Sequence, residues 1–328
     1  MATKVFFYTL RPYDELSIAQ RLAPQLDIEF GYTQEYPTLE NAELAKGYDA
    51  VSVTPCDMSA PMVKRFHELG VKSICCRSIG YDHVDRETAR ALGMKVANVD
   101  YPPNGVANFA IMLMLMSLRK AGHILKRGEA QDYSLQGKIG RDISTCTVGV
   151  IGTGKIGRIF IDICRGFGMK VIAYDPFLPP EIAKEQGVEL VDLDTALAEG
   201  DVISVHMNLT ADNKYFFTKE TFAKMKKHPI FINEGRGEMV EEAALKWALD
   251  EGIIRGAGID MLESEDPDLS KCVLIEDPPR KNLIINPHSG YWSDTSDYLV
   301  RKYSMENAMN YVNGNFDAVH DIRNGVRK

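Results

Sequence analysis

The sequence predicts an α/β protein with two doubly wound, Rossmann-like parallel-sheet domains, and three observations support this fold class. Short β-rich runs alternate with helical stretches along almost the whole chain, as in parallel sheets covered by helices. A chain of 328 residues is also longer than one ordinary hydrophobic core supports. The adjacent Pro102 and Pro103, followed by Asn104-Gly105, interrupt the alternation with a stiff turn suited to a domain crossover.

The first series of elements runs from the N-terminus to these prolines. It contains, in order, the strand KVFFYTL, the helix DELSIAQRLAPQ, the strands DIEFGY and DAVSVT, a helix around PMVKRFHELG, and the strand VKSICCRS. After the prolines comes a methionine-rich segment, VANFAIMLMLMSL. Met112, Met114 and Met116 fall on different faces of a helix there, which predicts burial all round, in the core or at a subunit interface.

A second series begins at CTVGVIGTGKIGR. It continues through the apolar runs KVIAYD, VISVHM, IFINEGRG, GAGID and LIINPHSG, each of which ends in a polar or glycine-bearing tip. The segment SDYLVRKYSMENAMNYVNG, from about residue 294, predicts a C-terminal helix. The expected fold is therefore two parallel-sheet domains with a cleft between them.

Composition excludes several classes of function. A net charge of −8 argues against a nucleic-acid partner, because phosphate binding requires a basic surface. The hydrophobic segment at 106–118 is too short to span a bilayer. The six cysteines form no CxxC pair and no zinc-like spacing, so we expect reduced core thiols, no metal site and a cytoplasmic protein without a membrane or nucleic-acid partner.

A glycine motif opens the second series. Gly152, Gly154 and Gly157 form G-x-G-x-x-G directly after an apolar strand and at the head of an amphipathic helix. The first glycine permits a tight turn, the second lets the backbone approach a pyrophosphate, and the third lets helix and strand pack closely. The next strand ends in Asp175, where a carboxylate can accept both ribose hydroxyls and repel a 2′-phosphate, which favours NAD over NADP. The alternative is a glycine-rich turn followed by an unrelated acid.

The polar tips of the later strands suggest the chemistry. Ligands of open parallel sheets bind outside the carboxyl ends of the strands. Reduction of a carbonyl by hydride leaves an alkoxide that needs a proton, which a histidine such as His288 can supply. A carboxylate beside it keeps the imidazolium protonated, and Arg236 can fork onto a substrate carboxylate while it polarises the carbonyl.

Alternatives stay open for each of these residues. Arg236 could be a structural arginine, and Glu265 lies in the acidic run ESEDPD, where spacing alone does not choose it over Glu263. His206 also ends a strand, but we expect it to shape the loop that follows.

The sequence as a whole resembles the D-2-hydroxyacid dehydrogenases, especially the D-lactate and D-2-hydroxyisocaproate branch. The resemblance covers nearly the whole length and rests on RSIGYDHVD, YPPNGVAN, VGVIGTGKIGR, AYD, NEGRG, GAGIDMLESE and NPHSG. It implies Arg236, Glu265 and His288 as the catalytic set. It also implies that the backbone of Ile79-Gly80 holds the substrate carboxylate and that Tyr101 and Tyr291 line the substrate pocket.

The resemblance also assigns the cofactor and the domains. Its implied NAD contacts are Gly152, Gly154, Lys155, Ile156, Gly157, Asp175, Met207, Asn208, Asn213, Glu234, Gly235, Arg236 and Asp260. It implies a substrate domain of residues 1–101 plus 290–328, an NAD-binding domain of residues 102–289, and a homodimer formed through the 104–121 helix. The expected partner is a small 2-keto or 2-hydroxy acid.

Several positions depart from the family pattern. Tyr101 is followed by two prolines, Asn108 replaces a glutamate, and Asn208 replaces a proline. Glu234 takes a place usually filled by a small or neutral residue, and we expect its carboxylate either to reach solvent or a backbone amide, or to change substrate preference. We expect Gly235 and Gly237 to let the backbone pass close to a nicotinamide.

The predicted function is NAD-dependent interconversion of a 2-keto acid and the (R)-2-hydroxy acid. One alternative is a non-catalytic NAD(H) sensor like the corepressors that share this fold. Another is a formate- or phosphite-type dehydrogenase.

Overall fold

The computed structural model describes residues 2–210, 212–264, 272–276 and 278–322. The chain divides into two compact units, one formed by Met1–Pro102 with Ser293–Lys328 and the other by Pro103–Trp292. Each unit is built around its own mainly parallel sheet, as the alternation of elements predicts.

The first unit contains a mainly parallel sheet, and one of its edge strands comes from the C-terminal part of the chain. Its strands are β1 (Thr3–Phe7), β2 (Ile28–Tyr32), β3 (Ala50–Val53), β4 (Ser73–Cys76), β5 (Lys95–Asn98) and β13 (Asp321–Ile322), and its helices are α1 (Leu16–Leu22), α2 (Ala60–Glu68), α3 (Arg86–Ala91) and α11 (Asp294–Val312). The strand order is β13-β5-β4-β3-β1-β2, with β13 antiparallel to β5.

The C-terminal helix α11 docks on this sheet through polar groups as well as apolar ones. Ser304 Oγ lies 2.7 Å from Ser52 Oγ, and Asn307 Nδ2 donates to the Asn98 carbonyl at 3.0 Å. The Tyr311 hydroxyl donates to the Val96 carbonyl at 3.1 Å. Since buried polar groups are costly unless they are paired, these bonds select one position for the helix on the sheet.

The second unit contains a wholly parallel sheet. Its strands are β6 (Thr147–Ile151), β7 (Lys170–Tyr174), β8 (Glu189–Leu190), β9 (Val202–Val205), β10 (Ile230–Asn233), β11 (Gly256–Ile259) and β12 (Leu283–Ile285). Its helices are α4 (Asn104–Leu118), α5 (Ala121–Glu129), α6 (Lys155–Gly166), α7 (Pro180–Glu185), α8 (Leu193–Glu199), α9 (Lys219–Ala223) and α10 (Glu242–Asp250). The order β12-β11-β10-β9-β6-β7-β8 changes direction at β6, and β9 and β6 are the neighbours at that switch point.

The methionine-rich segment forms a shorter helix than the prediction gives. The expected 104–121 helix ends at Leu118, and Lys120 adopts a left-handed conformation (φ 55°) before α5 begins. Met112 is 39% exposed whereas Met114 is fully buried, so burial all round stays a prediction that needs a subunit interface over Met112. The two-residue strands β8 and β13 were not predicted, since so short a run carries no periodicity.

Two further sequence predictions concern the cysteines and the membrane. Cys75, Cys76, Cys146 and Cys164 are buried free thiols. In the part of the chain that the structure describes, no helix combines the length and the apolar character needed to cross a membrane.

Candidate active site

The glycine motif forms a tight turn between β6 and α6. Gly152 has φ 95°, and a Cβ on it would lie 3.0 Å from the Met207 nitrogen. A Cβ on Gly157 would lie 2.2 Å from the Gly152 carbonyl oxygen, so helix and turn are in backbone contact. Gly154, the N-cap of α6, has no neighbour within 4 Å of its Cβ position. Two glycines therefore serve packing, and the third leaves open the space in front of the helix N-terminus, which is what a bound pyrophosphate requires.

Asp175 follows β7 and is tied to the glycine turn. Its Oδ2 accepts from the Thr153 amide at 2.8 Å and the Thr153 hydroxyl at 2.6 Å, and its Oδ1 accepts from the Phe177 amide at 2.9 Å. Burial alone would raise the pKa of Asp175, but these bonds outweigh it and leave the pKa below its usual value. Asp175 is thus an oriented carboxylate beside the turn, and it can accept hydrogen bonds from the hydroxyls of a ribose.

The loop after β9 lies next to the same turn. His206 is buried, and its Nε2 lies 2.9 Å from Ser204 Oγ. Burial lowers the pKa of His206 to about 3, so the imidazole is neutral and structural. Further along, Asn213 Nδ2 donates to the Asn208 carbonyl at 2.8 Å, and Asn213 Oδ1 accepts from the Thr210 amide at 2.7 Å. The side chain of Asn213 therefore closes the loop.

Arg236 lies on a loop that Asn233 braces at the end of β10. Asn233 Oδ1 accepts from the Gly235 amide at 3.0 Å, and its Nδ2 donates to the Arg236 carbonyl at 3.0 Å. The guanidinium of Arg236, which is partly exposed, donates from Nη1 to the Gly235 carbonyl at 2.9 Å. Both bonds of Asn233 hold the backbone from which this side chain projects.

The two glycines that flank Arg236 are required by close contacts within the protein, and their approach to a nicotinamide stays a prediction. A Cβ on Gly237 would lie 1.9 Å from the Leu262 carbonyl oxygen, and one on Gly235 would lie 3.0 Å from the Met207 carbonyl oxygen. Within the described residues, these glycines let three neighbouring strand tips come together.

Glu234 contradicts one of the two expectations for it. The residue is 5% exposed, and neither carboxyl oxygen has a hydrogen-bond partner among the described residues. Its carboxyl thus reaches neither solvent nor a backbone amide of the described residues. Burial, followed by the nearby Asp260, raises the pKa of Glu234 well above its usual value.

His288 lies on a turn that Asp260 organises. The His288 amide donates to the Asp260 carbonyl at 2.7 Å, while the Asp260 carboxylate accepts from the amides of Ser289 and Gly290, each at 2.8 Å. His288 itself has φ 53°, a strained value for a residue with a side chain. The Tyr291 ring meets the imidazole edge to face, with centroids 6.0 Å apart.

The remaining predicted site residues fall into three groups. Lys155 and Ile156 form the first turn of α6. Glu265 lies outside the described residues. Ile79, Gly80 and Tyr101 belong to the first unit, where Asn98 Nδ2 donates to the Ile79 carbonyl at 2.6 Å and Ser78 Oγ donates to the Gly80 carbonyl at 2.6 Å.

Sequence reasoning missed the residues that hold the site in shape. Thr153 orients Asp175, Asn233 braces the Arg236 loop, and Ser204 pairs with His206. A signal existed for Asn233, because an asparagine at a strand end often bonds the backbone two residues on. The contacts of Thr153 and Ser204 depend on which segments meet in space.

The parallel sheet, the glycine turn at a helix N-terminus and the acid after the second strand define a Rossmann-type NAD-binding domain. Comparison with known proteins agrees, since residues 111–290 match the family model for the NAD-binding domain of D-isomer specific 2-hydroxyacid dehydrogenases.

Relatives and solved structures extend the likeness to almost the whole chain. A D-lactate dehydrogenase of Lactiplantibacillus plantarum is 32% identical over 320 residues, which cover 94% of this chain and 96% of that protein. An aromatic 2-oxoacid reductase of Clostridium sporogenes is 35% identical over 309 residues, covering 89% and 91%. The apo-structure of the Escherichia coli D-lactate dehydrogenase superposes with a TM-score of 0.84 at 32% identity, covering 95% and 98%.

The chain belongs to the D-isomer-specific 2-hydroxyacid dehydrogenase family. It is an NAD-dependent oxidoreductase of that family.

Proposed function

We propose that the protein interconverts a 2-keto acid and the corresponding (R)-2-hydroxy acid, with Arg236, Glu265 and His288 as its catalytic residues. The observation that carries the proposal is the bracing of two strand tips of one sheet. Asn233 holds the loop of Arg236, and Asp260 holds the turn of His288. Preorganised groups of this kind are what hydride transfer to a carbonyl requires.

Each residue has a distinct role. His288 gives a proton to the substrate oxygen during reduction and takes it back during oxidation. Arg236 forms a bidentate ion pair with the substrate carboxylate and polarises the carbonyl. Glu265 keeps His288 protonated until transfer. When bound, NADH supplies the hydride.

Binding of the two ligands is divided between the two parts of the chain. Residues 102–289 bind NAD, with the open face of Gly154, the carboxylate of Asp175 and the 207–213 loop as contacts. Residues 1–101 plus 290–328 form the substrate domain. The amides of Ile79 and Gly80 hold the substrate carboxylate, and Tyr101 and Tyr291 line the pocket. In support, side chains fix the carbonyls of Ile79 and Gly80, and neither amide has an acceptor among the described residues.

An activity assay with several 2-keto acids would identify the side chain of the substrate. The names of the two relatives point to different acids, lactate and an aromatic 2-oxoacid, so NADH oxidation should be measured with pyruvate, 4-methyl-2-oxopentanoate, phenylpyruvate and 2-oxoglutarate. We expect turnover of at least one and an (R) product. NADH binding without any turnover would indicate a non-catalytic NAD(H) sensor. NAD⁺ reduction by formate or phosphite would indicate a formate- or phosphite-type dehydrogenase.

A homodimer formed through the 104–121 segment and a cytoplasmic location complete the proposal. Met112, which is exposed on α4, lies in this segment and would be covered by the partner. Met112→Glu should shift the protein toward monomer in analytical ultracentrifugation, whereas a monomeric native protein would contradict this assembly.

A further inference from the structure

Two acidic side chains meet behind the turn that carries His288. A Cβ on Gly290 would lie 2.8 Å from Asp260 Oδ2 and also 2.8 Å from Glu234 Oε2. The two carboxyl groups, one at the tip of β10 and one at the tip of β11, therefore approach the same point from neighbouring strands. Gly290 leaves the space in which they do so, because the Cβ of any larger residue would lie too close to both oxygens.

The hydrogen bonds of the two groups differ completely. Asp260 accepts two backbone amides, those of Ser289 and Gly290, and such donors suit an ionised carboxylate. Glu234 accepts from no donor among the described residues, although both of its oxygens are buried. A buried carboxylate without donors or a counter-charge is very unfavourable, whereas a carboxylic acid carries its own donor.

The surrounding charges favour the same protonation pattern. Asp260 is the charged group that acts on Glu234, and two carboxyl groups at one site do not both ionise near neutral pH. The other titratable groups on the described parts of the adjoining loops include Arg236, whose guanidinium bonds the Gly235 carbonyl, and also Glu238, Glu263 and His288. The acid with no amide donors is thus the one that keeps the proton.

We infer that Glu234 is a positioning residue that stays protonated at neutral pH and donates its carboxyl proton to Asp260, so that the pair carries one negative charge. The bond acts on catalysis through Asp260, which accepts hydrogen bonds from three backbone amides of the strained turn that carries His288. This inference rests on the proposed role of His288. It explains why an acidic residue is tolerated beside Arg236, since a neutral acid does not compete for the guanidinium.

Infrared spectroscopy of the native enzyme at pH 7 tests the protonation state directly. We expect the C=O band of a protonated carboxylic acid, lost in Glu234→Gln and retained in Glu251→Gln, a substitution of an exposed glutamate. Native and Glu234→Gln spectra that superimpose in this region would overturn the inference. If Glu234→Gln does not fold, carbon NMR of native enzyme labelled at the glutamate carboxyl carbon replaces it, and the absence of a protonated glutamate at pH 7 has the same meaning.

Rescue by a conservative side chain tests the positioning role. Glutamine keeps a donor toward Asp260, while leucine keeps the size and removes it. We expect Glu234→Leu to have kcat at least about tenfold below that of Glu234→Gln, the loss associated with one hydrogen bond to a charged group. Equal kcat in the two variants would contradict the role.

The two measurements separate this inference from the proposed function. The infrared band does not depend on turnover, so a missing band overturns the protonated pair even if His288 proves catalytic. A band that is present together with full activity of a His288 variant would instead overturn the proposed function.

Discussion

Asp260 holds His288 through both its backbone and its side chain. The His288 amide donates to the Asp260 carbonyl at 2.7 Å, and the carboxylate accepts from the two amides that follow. Because φ of His288 is 53°, the turn needs this support to persist. A buried acid at the end of β11 thus determines where the imidazole after β12 lies, and this relation leads to the first prediction.

Removal of the imidazole should abolish most of the turnover without loss of cofactor binding. His288→Ala should lower kcat for a 2-keto acid by about 10²–10⁴-fold, the usual contribution of a general acid. NADH affinity, followed by fluorescence titration, should stay near the native value. His67→Asn, at an exposed position on α2, is the matched control and should leave both quantities unchanged. Native turnover in His288→Ala would exclude this residue as the proton donor.

The glycine turn should respond differently at its second and third glycines. Gly154→Ala adds a methyl group to open space, so we expect near-native stability but NADH binding weakened about tenfold, since the methyl occupies the path of the pyrophosphate. Gly157→Ala places a methyl group against the Gly152 carbonyl and should lower the free energy of unfolding by about 1–3 kcal/mol.

Gly166→Ala provides the control for helix propensity, because it lies at the end of α6 with no atom within 4 Å of its Cβ position. Denaturant unfolding and NADH titration of all three variants are the measurements. Equal stability losses in Gly154→Ala and Gly157→Ala would refute the division of roles.

His206 should make the protein sensitive to mild acid. Its pKa is lowered to about 3 in the folded protein, so between that value and the ordinary 6.5 the unfolded chain binds a proton that the folded one does not. Its contribution to stability is therefore fully present above pH 6.5 and is lost as the pH falls. The free energy of unfolding should decrease by about 1.4 kcal/mol per pH unit from this group alone.

The slope of stability against pH, measured by denaturant unfolding between pH 6.5 and 5, should be reduced in His206→Gln. Glutamine retains a polar partner for Ser204, and His67→Asn again serves as the control, with a native slope. An unchanged slope in His206→Gln would show that the acid sensitivity arises elsewhere.

A buried ion pair in the first unit should be important for stability. Arg301 on α11 is 1% exposed and contacts Glu15, which is fully buried. Arg301→Met should lower the free energy of unfolding by about 3–5 kcal/mol, because it leaves a buried carboxylate with one fewer cation. Lys302→Met removes a partly exposed neighbour, 3.8 Å from Glu306, and should cost at most about 1 kcal/mol. Similar losses in the two variants would contradict the special role of Arg301.

Much of the molecule follows from the sequence alone. The alternation of apolar runs and helices, the glycine spacing before α6, and the polar tips of β9 to β12 are local signals, and parallel topology brings such tips to one edge of a sheet. The two-unit fold, the parallel sheets and the dependence on NAD could therefore be predicted before any contact was known.

The tertiary structure alone determined how those residues are held and charged. The burial of Glu234 beside Asp260, the contact of Gly237 with the Leu262 backbone and the bond from Thr153 to Asp175 all join segments far apart in the sequence. No periodicity or spacing encodes such a contact, because it depends on how strands and loops pack in three dimensions. The same packing decides whether an acid keeps its proton, since desolvation and the nearest charge are properties of the folded chain.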